Sequence, residues 1–107
     1  MEKKELVDLI YVELGFTEGQ ISKDIITIML GDMATFDRKQ HDYGSGNIAA
    51  FGEKGVLVRM NDKMARLRNL VWNDKASVNE SIDDSYLDIS VYGAIARMCR
   101  SGKWPKS

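Results

Sequence analysis

The sequence predicts an all-α fold, a compact bundle of about four helices with a glycine-rich break between the second and third. Three observations carry that prediction. The single proline, Pro105, lies two residues from the end of the chain. Apolar residues recur at spacings of three and four, the period of an amphipathic helix. Alternating β-branched runs, the mark of half-buried strands, are few.

A first helix is expected over Lys3–Leu14, with Leu6, Leu9, Ile10 and Leu14 as its apolar stripe and Gly15 as its stop. Thr17 or Ser22 can cap a second helix that runs to about Asp42, with a stripe of Ile21, Ile25, Ile28, Met29, Met33 and Phe36. The run His41-Asp-Tyr-Gly-Ser-Gly-Asn47 demands turn geometry and ends it. A short apolar piece, Ile48–Phe51, follows. A third helix over Gly55–Trp72 turns Val56 (or Leu57), Met60, Met64, Leu67 and Val71 inward. Ser77 and Glu80 have the spacing of a capping box for the last helix, which runs to Arg100 before Gly102.

At 107 residues the chain reads as one domain, residues 1–107, able to bury a modest core. That size makes a homo-oligomer the expected state, with Trp72 and Trp104 as core or interface anchors. The 44% hydrophobic and 29% charged fractions are those of a soluble globular protein. A net charge of -1 gives no global field to recruit duplex nucleic acid or acidic membranes, so any anion site must be a local cluster. The one cysteine, Cys99, excludes an internal disulfide, fits a reducing compartment and reads as structural. No signal-peptide core and no membrane-length apolar run is present, so a cytoplasmic location is expected.

Two constellations carry chemistry. Glu80, Asp84 and Asp88 fall at helical spacing near the chain's end, a like-charge ladder that needs a cation. Asp88 is its sharpest member, because Leu87, Ile89 and Val91 crowd it with apolar side chains. On the third helix Arg59, Lys63 and Arg66 form a basic stripe. Lys63 or Arg66 can pair with Asp84 or Asp88 across antiparallel helices, and the same cations can grip phosphate. The second constellation is the junction Lys39–Asn47. Gly44 and Gly46 let backbone amides approach an anion, and a helix or turn starting at Asn47 adds a positive dipole end. Tyr43 can stack on a base, while Lys39 and His41 contact phosphate.

His41 is the sole histidine, so a cation at the ladder would be Mg²⁺ or Mn²⁺ on oxygen ligands, with Asp84 and Asp88 as the candidate pair. Nothing marks a nucleophile: Cys99 has no histidine near it in sequence, and no glycine elbow surrounds a serine. Walker and dinucleotide-binding fingerprints are absent.

The string Asp42-Tyr-Gly44, then Lys63-Met-Ala-Arg66-Leu-Arg-Asn69-Leu, then Glu80-Ser81 followed by Asp84, Asp88 and Tyr92, resembles the nucleotide modification associated domain 1 family. Those are small proteins common in bacteriophages and prophages, and the likeness covers Phe36–Met98. It implies a role in nucleotide metabolism or base modification, in the host cytoplasm if the chain is phage-encoded. A more distant likeness is to the all-α MazG-type nucleoside triphosphate pyrophosphatases, which hold Mg²⁺ with paired carboxylate motifs on two helices. Here Asp88 matches the final Asp, but Ser85 stands where a Glu belongs, and the preceding helix offers Asp62 with Lys63 and Arg66 instead of paired glutamates.

Three functions follow. The chain is a Mg²⁺-assisted nucleotide hydrolase or transferase, or a non-catalytic sponge that sequesters a nucleotide immune signal, or a structural bundle whose ladder is a polar core network.

Overall fold

The helical periods resolve, in a computed structural model that describes residues 1–106, into five α-helices with no strand among the described residues: α1 (Lys3–Glu13), α2 (Gln20–Tyr43), α3 (Gly46–Ala49), α4 (Gly52–Leu67) and α5 (Ile82–Arg100). A π-helical turn, Arg68–Trp72, extends α4. The expected break lies after α2, where Gly44 takes a left-handed φ of 69° and its N–H closes the helix on the Gln40 carbonyl at 2.9 Å.

The chain divides into two compact units, Met1–Asp37 and Arg38–Ser107. Their charges differ sharply. The first carries three lysines against eight carboxylates, net -5, and the second twelve Lys and Arg against eight, net +4 with His41 neutral. The near-neutral total conceals that asymmetry.

In unit 1 the expected stripes do not form the core. Val7 and Ile26 are the buried apolar residues there, whereas Leu6, Leu9, Leu14, Ile21, Ile25, Ile28, Met29 and Met33 are exposed. The cause is the set of contacts that fixes the rotation of α1. The Tyr11 hydroxyl accepts the Gly19 N–H at 3.0 Å, and its ring meets Phe16 edge-on. Lys23 pairs with Asp8 at 3.1 Å and lies 5.1 Å from the centre of the Tyr11 ring. Val7, Asp8 and Tyr11 share one face of α1, and Lys23 and Ile26 one face of α2, by helical spacing. Those faces turn inward, and the larger stripe turns out.

In unit 2, α4 packs along α5 and α3 packs on α4, over a core of Ile48, Val56, Leu67 and Ile95. The α4–α5 pair is pinned at both ends. Arg100 in the last turn of α5 reaches Glu53 in the first turn of α4 at 3.1 Å, while Arg66 near the end of α4 reaches the start of α5. Gly55 is required where it stands, because a Cβ there would lie 2.6 Å from Cβ of Phe51.

Two expectations for these helices are corrected. The helix start is capped by Ser81, whose Oγ accepts the Asp84 N–H at 3.1 Å, and not by Ser77. Arg66 binds the carbonyls of Glu80 and Ser81 and keeps that segment out of the helix. The π turn also rotates the end of α4, leaving Val71 exposed where an inward face was expected and placing Trp72 on the surface, outside the core, of the two places expected for it.

Candidate functional site: a lysine-bracketed carboxylate

Asp88 sits on α5 with its side chain 14% exposed, among apolar neighbours in sequence as its position implied. A carboxylate held there needs positive charge close by. Two ammonium groups supply it. Lys63 Nζ from α4 lies 3.0 Å from one Asp88 oxygen, and Lys39 Nζ from the end of α2 lies 3.5 Å from the other. Lys63 also reaches Glu80 at 3.5 Å. The Lys63–Asp88 pairing is one of the cross-helix pairs that the spacing allowed. Its hydrogen bond to Asp88 raises the Lys63 pKa above the ordinary 10.5, against desolvation, with the charges of Asp88, Glu80 and Tyr92 adding to the rise.

Arg66 has a structural task beside the phosphate grip expected of it. Its guanidinium donates to the Ser85 hydroxyl at 2.7 Å, to the Ser81 carbonyl at 3.2 Å and to the Glu80 carbonyl. Ser85 is completely buried. The planar fork is thus occupied by the entry to α5, and Arg66 positions the helix that carries Asp88.

Arg59, one turn before Lys63 on α4, donates to the Asn47 carbonyl at 3.3 Å. The Asn47 side chain accepts the Ile48 N–H at 2.9 Å, and Trp104 Nε1 donates to the Ser45 carbonyl at 3.0 Å. The Gly44–Asn47 junction is therefore a strapped corner. The Gly44 amide, expected to cradle an anion, is used as a helix cap instead. Asn47 lies inside the four-residue α3, too short to present a helix-end anion site. Tyr43 and His41 stand exposed on the last turn of α2, with His41 Nδ1 3.3 Å from Asp42.

The carboxylate ladder is also reshaped. Glu80 precedes the helix, Asp84 is exposed in its first turn where the positive helix end suits it, and Asp88 faces the lysines. Among the described residues, no group of three or more His, Cys, Asp or Glu side chains converges. The donor set around Asp88 consists of cations, which does not fit the expected Asp84–Asp88 pair as a resident Mg²⁺ site.

Ser85, Ser81 and Trp104 are the contributors that the spacing of charges did not reveal. Ser85 had one available signal: it is a small polar residue three positions from Ile82 and four from Ile89, on the face that α5 buries.

Fold and site together define a small all-α protein with a basic face built around one partly buried carboxylate. Residues 39–99, more than half of the chain, match the nucleotide modification associated domain 1 family, and the chain belongs to that family. The match begins at Lys39, ends at Cys99 and falls wholly within unit 2. No curated protein and no solved structure matches the chain, so the distant likeness to MazG-type pyrophosphatases gains no support.

Proposed function

We propose that the face formed by Lys39, Lys63 and Arg59 binds the phosphates of a nucleotide, with Asp88 holding the two ammonium groups in place for the ligand. The observation that carries this reading is the convergence of two lysines on a single carboxylate at 3.0 and 3.5 Å, inside the segment that matches the nucleotide-modification family. Asp88 and Glu80 together balance the two lysines, and Arg59, a turn away on α4, supplies the excess positive charge. A phosphate drawn to that excess replaces solvent around the ammonium groups, and Asp88 keeps them from spreading apart. The exposed Tyr43 ring is available to stack on a base, with His41 beside it.

Capture without turnover is the form these residues support best. The chain offers charge and orientation but no nucleophile, and the oxygens of Asp88 are directed at lysines. In a phage setting such a protein acts as a sponge for a nucleotide signal. The hydrolase reading requires Mg²⁺ to arrive with the triphosphate and to engage the exposed Asp84.

The test is a panel of nucleoside triphosphates, cyclic dinucleotides and ADP-ribose, each with and without Mg²⁺, read by melting temperature and then by chromatography after denaturation. Recovery of an intact ligand supports capture, and products identify a hydrolase. Absence of a shift with every ligand removes the nucleotide reading. Arg59→Met and Lys39→Met should each weaken the bound ligand by about tenfold, roughly 1.4 kcal/mol, in a protein that keeps its helicity.

A further inference from the structure

Unit 1 has more apolar surface than it has core. A helical hairpin spanning Met1–Asp37 with Val7 and Ile26 as its buried apolar residues is below the size at which one core sustains a fold. Along α2, Ile21, Ile25, Ile28, Met29 and Met33 are each 52–74% exposed. At 3.6 residues per turn they cover an arc of about 140°, wider than the roughly 100° stripe by which a surface helix seats itself on a core. They present on the order of 500 Å². Exposed Leu9, Val12 and Leu14 add further apolar surface to unit 1.

Charge selects what covers this surface. A second unit 1 would set net -5 against net -5, whereas unit 2 carries net +4. Unit 2 also exposes apolar residues beside a cation: Phe51, Leu57 and Val58 flank Lys54 around the first turns of α4. We propose that two copies of the chain form a reciprocal, two-fold dimer in which the acidic unit 1 of each packs on the basic unit 2 of the other. The two equivalent contacts place the buried area in the range of a stable dimer. This inference is independent of what the Asp88 site binds.

The full chain is to be examined by sedimentation velocity over a dilution series at low and high salt. The expected result is a dimer whose dissociation constant rises with salt, as acid-on-base pairing requires. Lys54→Glu on unit 2 and Ile28→Ser on unit 1 should each weaken it by about tenfold or more, with circular dichroism verifying that the variants remain helical. If Ile28→Ser does not fold, the salt series and Lys54→Glu still decide. A monomer at every concentration overturns the proposal. So does a dimer that tightens with salt and ignores Lys54→Glu, which identifies unit 1 pairing with unit 1.

Discussion

The same kind of contact, a lysine against an aspartate on a neighbouring helix, occurs in both units and stands in different surroundings. In unit 1 Lys23 meets Asp8 at 3.1 Å with side chains 34% and 45% exposed, open to water and salt. In unit 2 Lys63 meets Asp88 at 3.0 Å with side chains 23% and 14% exposed, beside a second lysine and next to Arg66 with its buried serine. Near-identical distances therefore carry unequal energies, because solvent screens the first pair far more than the second. The comparison also separates two tasks. The polar network, the basic face and the family match coincide in unit 2, while unit 1 lies outside the match and carries the uncovered apolar stripe.

The sharpest way to break that contrast is at Arg66. Arg66→Ala removes the partner of a fully buried hydroxyl and of two carbonyls at the head of α5, and should cost about 3 kcal/mol. Urea unfolding would show it as a lowered midpoint, and Arg66→Lys should recover less than half, since an ammonium cannot span the same three acceptors. If Arg66→Ala is neutral, the cross-link at the head of α5 carries little of unit 2's stability.

Lys63→Met comes next, at about 1–2 kcal/mol, because Lys39 remains to answer Asp88. Its pH signature has a definite sign. The folded state binds the Lys63 proton more tightly than the unfolded chain does, so this contribution is whole below pH 10.5 and declines as pH climbs through the raised folded value. The free energy of unfolding, measured across the alkaline range, should fall more steeply in the native protein than in Lys63→Met.

The smallest effect is expected in unit 1. Lys23→Gln removes the exposed pair and should shift stability by no more than about 0.5 kcal/mol. A loss comparable to that of Lys63→Met would mean that the Asp8–Lys23–Tyr11 contact is shielded from water in solution, and the difference between the units would narrow.

Much of the helix layout was legible because it depends on neighbours in sequence. Gly44 and its flanking residues stop α2 through local backbone geometry, and periods of three and four mark α1, α2, α4 and α5 wherever they pack. The Lys63–Asp88 pair was also legible, since two helices joined by a short segment must run back along each other. The bracing role of Arg66 was not legible for a physical reason: two of its three acceptors are backbone carbonyls, which every residue possesses and no side chain advertises. Ser77 and Ser81 each precede an acidic residue by three positions, so local spacing alone could not choose the cap. The grip of Arg66 on Glu80 and Ser81 did.

The sequence by itself determined an all-helical chain, its principal break and the residue types of a basic face opposite a carboxylate, because these follow from periodicity, turn chemistry and charge. Only the tertiary structure decided which face of α1 and α2 turns inward, that Lys39 joins Lys63 on Asp88, and that Arg66 braces a helix. Each of those depends on helix rotation, set by a few contacts between residues on different helices or across the turns that join them, such as Tyr11 with Gly19 and Arg66 with Ser85. A one-residue change in the inward face leaves the period untouched and exchanges core for surface.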